Sequence, residues 1–273
     1  MIAIVRAEWL KLRSTAIPWV LAGISIVITG LLILVYFINH GDGGGGGGGG
    51  GGQGPGGTLG FGPPDPNVPH TVQQLRNLVG RGIEGYIFAL LLGVLIITVE
   101  FRHKTVTTSF LVTPRRSVFV VGKLVMAALA GAVLAVILLA ATVLGGGIAL
   151  SAKGGSFSAM THQIGAVAPG MILVFVLFAL LGVGVGSLVT NQVAALIICL
   201  GWFLIVENII EGIWSGTTKW LPSGAAAAAA NVTAGRGASA GLLTWWQGAL
   251  LILAYGLAFA VVGSAVLAKR DIT

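Results

Sequence analysis

From Ala16 to Ile38 the chain carries no charged side chain. The run is long enough to cross a bilayer as a helix, which takes about 20 residues. In hydrocarbon every backbone N–H and C=O must find its partner inside the segment, so such a run can only be helical. Five more apolar stretches follow, at about Ile83–Val99, Leu124–Leu150, Ala168–Val189, Val193–Ile213 and Leu242–Ala268. Charged residues are 8% of the whole and hydrophobic ones 56%, against about 25% charged in a soluble domain. Mean hydropathy is +0.98. The expected fold class is therefore all-α: a polytopic membrane protein of six transmembrane helices forming one transmembrane domain over residues 1–273.

The connections between spans differ in character. Residues 1–13 read as an interfacial helix, with Ile2, Val5, Trp9 and Leu12 at helical spacing and Arg6, Glu8, Lys11 and Arg13 off that stripe. No small-residue cleavage site follows the first apolar run, so the N-terminal segment is not read as a secretory signal. Residues 39–71 hold a glycine run and then Gly62-Pro-Pro-Asp-Pro-Asn-Val-Pro69. That composition cannot bury a core and predicts a flexible loop. It is no phosphate-cradling loop, because no Gly-Lys-Ser/Thr closes it. Val72, Leu75, Val79 and Ile83 then form a stripe that predicts a helix at the outer interface before the second span. Gly145-Gly-Gly147 is expected to loosen the outer end of the third span, and residues 151–167 to form a short polar loop. Gly182, Gly184 and Gly186 give the fourth span a small-residue face suited to close helix approach. Between the fifth and sixth spans, Trp214 and Trp220 suit interfacial depth, Leu221-Pro222-Ser223-Gly224 breaks the chain, and alanines 225–230 predict a short re-entrant outer helix.

Orientation follows from the basic residues. With the N-terminus inside, the inner side receives Arg6, Lys11, Arg13, Arg102, Lys104, Arg115, Arg116, Lys123, Lys269 and Arg270. The outer side receives Arg76, Arg81, Lys153, Lys219 and Arg236, so ten of the fifteen lie inside against five. The positive-inside rule then predicts N-in and C-in. The net charge of +7 reflects these loops beside anionic lipid, and no nucleic-acid partner is expected.

Half of the inner basic residues, five of ten, sit in one connection, residues 100–123. Its composition suits docking of a soluble partner and equally suits an ordinary cytoplasmic loop. Thr113-Pro114 supplies an N-cap and a first-turn proline to restart a helix. Glu207 and Glu211, four residues apart, share a face near the outer end of the fifth span. A carboxyl at membrane depth is costly and marks a functional candidate. Glu207 lies deeper by about 6 Å, at 1.5 Å per residue. His40, His70, His103 and His162 stand in separate loops without acids at ligand spacing, so no metal site is expected. Cys199, the only cysteine, excludes an intrachain disulfide. No Ser/His/Asp or paired-acid pattern points to catalysis.

Three motifs in order carry a family resemblance. Arg6-Ala-Glu-Trp-Leu-Lys-Leu-Arg13 resembles the segment before the first span of bacterial, especially actinobacterial, ABC transporter permeases of the type-2 export class. Thr98-Val-Glu-Phe-Arg-His-Lys-Thr-Val-Thr-Thr108, with Leu111-Val-Thr-Pro-Arg-Arg116 and Gly122-Lys123, is similar to the turn after their second span. Val206-Glu207 followed by Trp220-Leu-Pro222 resembles their fifth span and outer loop. The glycine-rich loop departs from the pattern. The resemblance implies a permease subunit in a bacterial plasma membrane that pairs with a second copy, identical or related, through the first and fifth spans. Separate ATP-binding subunits, which hold ATP and Mg, dock on the inner side, so this chain has no cofactor and is no enzyme. It also implies that Glu100, Arg102, His103, Lys104, Thr105, Pro114, Arg115 and Arg116 form the coupling segment. Two rivals stay open: an accessory or immunity membrane protein of the same fold, and an intramembrane lipid-modifying enzyme, for which the chain offers little beyond Glu207.

Overall fold

The computed structural model describes residues 9–10, 13–39, 72–102, 116–152, 157–189, 191–232 and 243–269. Among these, all regular structure is helical. The order is α1 (Ala16–Asn39), α2 (Val72–Val79), a 3-10 segment (Gly80–Gly85), α3 (Tyr86–Arg102), α4 (Arg116–Ala152), α5 (Phe157–Thr161) and α6 (Ile164–Leu188). There follow α7 (Gln192–Gly201), a π turn (Trp202–Val206), α8 (Glu207–Ile213), a second 3-10 segment (Ser215–Trp220), α9 (Pro222–Ala229) and α10 (Trp245–Lys269). Apart from Trp9, Leu10, Arg13 and Asn39, the expected interfacial helix 1–13 and flexible loop 39–71 lie outside the described residues.

Five helical stretches are long and apolar enough to cross a membrane: Ala16–Phe37, Gln74–Val99, Val121–Ala152, Ile164–Leu188 and Gln192–Ile213. Helix α10 spans 25 residues, of which Trp245–Phe259 is its apolar described part. Burial sorts the five. In the most apolar window, 78% of the second and 72% of the fourth is buried, against 28%, 33% and 22% of the first, third and fifth. Helix α6 is thus the axis of the molecule, and α3, α4 and α10 pack around it.

Missing side chains let α3 and α6 meet backbone to backbone. A Cβ on Gly182 would strike the Leu90 carbonyl, and one on Gly93 the Ala179 carbonyl. Gly186 faces Ile97 and Val94 in the same way. The small-residue face expected on the fourth span is real at Gly182 and Gly186, and α3 is the helix it admits. Without a hydrophobic driving force between helices in lipid, such close van der Waals contact is what holds them together. Three buried hydroxyls are satisfied within their own helices: Thr98 Oγ1 donates to the Val94 carbonyl at 2.8 Å, Thr142 Oγ1 to Leu138 at 2.7 Å and Ser187 Oγ to Gly184 at 2.6 Å.

Two expectations are corrected at the C-terminal end of α4. Gly145-Gly-Gly147 does not loosen the third span, because α4 continues to Ala152. A side chain at Gly147 would collide with the Phe157 ring, and Gly146 faces Met160 and Leu78, so the glycines receive α5 as it folds back. Residues 151–167 are likewise no simple loop, since they include α5 and the first turn of α6. The predicted helix from Val72 forms, but it packs on the bundle. Val79 and Ile83 are buried and Leu75 is half-buried, only Val72 of that stripe being exposed. Arg76 Nε donates to Gln163 Oε1 at 3.1 Å, tying α2 to the start of α6.

Candidate functional site

The fifth span begins at a cap that sequence reading passed over. Asn191 Oδ1 accepts from the backbone N–H of Val193 at 3.0 Å and of Ala194 at 3.2 Å, fixing the start of α7. Ten residues of α-helix follow, and then the ladder widens. The Glu207 N–H bonds the Trp202 carbonyl, five residues back, which closes the π turn. Single π turns inside α-helices are rare and gather at functional sites.

Glu207, the first residue after that turn, is 0% exposed. Its Oε1 accepts from the Trp202 indole N–H at 3.2 Å. Phe203, one turn earlier on the same face, packs with Tyr86 of α3 and Phe178 of α6, ring centroids 5.7 and 5.8 Å away. From the last helix, Tyr255 lies within electrostatic reach of Glu207 and donates its hydroxyl to the Trp220 carbonyl at 2.8 Å. One turn beyond Glu207, Glu211 is half-buried and accepts from Ser223 Oγ at 3.3 Å. The two acids picked out in the sequence therefore have different settings: Glu207 faces inward, and Glu211 reaches the following short helix.

That short helix, α9, is the predicted alanine segment, and every one of its residues is buried. It lies between α6 and α10. Gly170 of α6 faces the Ala229 carbonyl, and a Cβ on Gly248 of α10 would stand 2.5 Å from the Ala225 carbonyl. A side chain at Gly170 or Gly248 would meet the α9 backbone, so these two glycines let α9 seat between the long helices. Its end is a Schellman motif: Asn231 adopts φ 56°, Val232 N–H bonds the Ala227 carbonyl at 3.1 Å, and Asn231 N–H bonds Ala228 at 3.0 Å.

Of the expected coupling residues, Glu100 and Arg102 lie in the last turn of α3, and Arg116 opens α4. Arg102 is exposed, and its Nη1 donates to Gln192 Oε1 at 3.4 Å. The end of the second span thereby meets the start of the fifth. His103, Lys104, Thr105, Pro114 and Arg115 lie outside the described residues. Lys123, counted in the sequence with the inner loop, is 2% exposed within α4, a correction that confines the connection to residues 103–115. Another polar cluster also escaped sequence reading. The Arg81 guanidinium stands 4.8 Å over the Tyr36 ring of α1 and within electrostatic reach of Glu84. Cation–π contacts of this kind gain strength when partly desolvated.

Among the described residues no three His, Cys, Asp or Glu side chains gather as metal ligands. What the site offers is a buried carboxyl, an indole donor and a phenol at the junction of three long helices and one short one. Comparison of the chain with protein-family models, curated proteins and solved structures gave no match.

Proposed function

We propose that this chain is the membrane-spanning subunit of an ATP-driven exporter of the ABC type-2 class, seated in a bacterial plasma membrane. In this reading it has six spans with both termini inside, and α9 is a re-entrant segment on the outer side. Two copies pair, and ATP-binding subunits dock on the connection after the second span. The reading rests on the three ordered motifs. The structural observation that supports it is the uneven burial of the spans. Helices α1 and α7–α8 present apolar side chains outward along their length, Val27 at 61% and Ile197 at 63% exposed among them. Two peripheral spans of one subunit suit the face of a second copy, and a buried axis suits a subunit that moves as a body.

On this reading ATP binding closes the motor subunits and moves the coupling segments, so that the helices alternate between inward-facing and outward-facing arrangements. A motor can shift that equilibrium only by binding the two states unequally. This reading expects an ABC-type ATPase to be encoded beside this chain, and the test is co-purification with its product. Arg115→Glu with Arg116→Glu should abolish motor binding and the ATPase activity that depends on this subunit, with membrane insertion unchanged. Motor binding by the doubly reversed variant would refute the docking assignment.

A further inference from the structure

Trp202 and Glu207 are joined twice, by a backbone hydrogen bond across five residues and by the indole–carboxyl bond at 3.2 Å. The second bond depends on the first. In an α-helix, at 100° per residue, positions five apart stand about 140° apart around the axis, too far for this side-chain contact. A π turn takes in more residues per turn and so brings residue 207 back round the axis toward residue 202, and the Cβ tilt toward the N-terminus leans Glu207 back over the indole. A wider ring also loses backbone geometry that an α-helix keeps, so the π turn needs support from side chains. The indole–carboxyl bond supplies it.

We propose that the fifth span is a two-register switch, latched in its π register by the hydrogen bond between Trp202 and Glu207. When the latch opens, the turn relaxes to α, and everything beyond it rotates by about 100° and advances by about 1.5 Å. Val206, four residues after Trp202, then takes the inward place of Glu207. Ile210 takes the place of Glu211, and the bond from Ser223 to Glu211 is lost. The buried place of Glu207 then holds a valine in place of a carboxyl, and the hydrogen bond from α9 to Glu211 is broken. A group that competes for the Glu207 carboxyl would therefore change the facing of a whole helix end. The switch goes beyond the transport reading and does not need it, because it is a property of one helix in one chain.

The test uses the full chain in lipid nanodiscs, with Cys199→Ala and spin labels at Ile148→Cys on α4 and Ile213→Cys on α8, both exposed positions. Pulsed electron resonance reads the distance between the labels. Trp202→Phe removes the donor and keeps the ring; it should shift the distance to a second value. Glu207→Gln keeps an acceptor oxygen and should retain the parent distance. Deleting Leu204 in the Trp202→Phe chain removes the extra residue and should restore the parent distance, because residue 207 then sits one α turn from residue 202. An unshifted distance in Trp202→Phe overturns the switch, and so does a shift in Glu207→Gln as large as that in Trp202→Phe.

Discussion

Asn231 shows how much a single residue carries in a chain with so few polar groups. It is the only described non-glycine residue with positive φ, and the left-handed conformation there lets two backbone N–H groups close the end of α9. A side chain other than glycine, asparagine or aspartate resists that conformation by about 1–2 kcal/mol. Asn231→Val should lower stability by that amount, measured as the thermal midpoint in detergent, whereas Asn231→Gly should leave it within error. Glu207 illustrates the opposite relation between sequence and setting. That an acid lies at membrane depth follows from counting residues. That it faces inward and meets an indole five positions earlier does not, because helical periodicity puts those two side chains on different faces.

At the scale of elements, the pairing of α3 with α6 rests on backbone meeting backbone at Gly93 and Gly182. A methyl group at Gly182 meets the Leu90 carbonyl, which cannot move without breaking its own helix. Overpacking of this kind costs about 1–3 kcal/mol or more. Gly182→Ala should therefore reduce the monodisperse yield and the melting temperature in detergent. Gly30→Ala on α1, where nothing lies within 4 Å, should be tolerated and slightly favoured by helix propensity. Equal effects of the two substitutions would remove the special role assigned to the α3–α6 seam. The small-residue spacing of the fourth span was readable beforehand, but its partner helix was not. The glycines at 145–147 carried the same ambiguity. Glycine in an apolar run signals either a weak point or a close approach, and only the position of Phe157 resolves it.

At the scale of the molecule, the prediction concerns which helices another copy can reach. Of the five longest apolar spans, α1 and the fifth bury the smallest share of their most apolar window, 28% and 22%. In a Cys199→Ala background, Val27→Cys and Ile197→Cys should form cross-links between copies in the membrane, and Leu90→Cys, fully buried in the α3–α6 seam, should not. Cross-linking at none of the peripheral positions would remove the pairing from the proposed function.

What the sequence alone determined is the solvent this chain folds in and the helical form it takes there. Both follow from length and charge, since an uncharged run of bilayer length can satisfy its backbone only as a helix. It also marked Glu207, because a buried acid is costly wherever it sits. The tertiary structure decided everything that depends on which surfaces meet. In apolar helices hydropathy is almost uniform around the axis, so it does not say which face is inward. Only contact distances separate the buried axis of α3 and α6 from the peripheral α1, or reveal that a π turn brings Trp202 to Glu207.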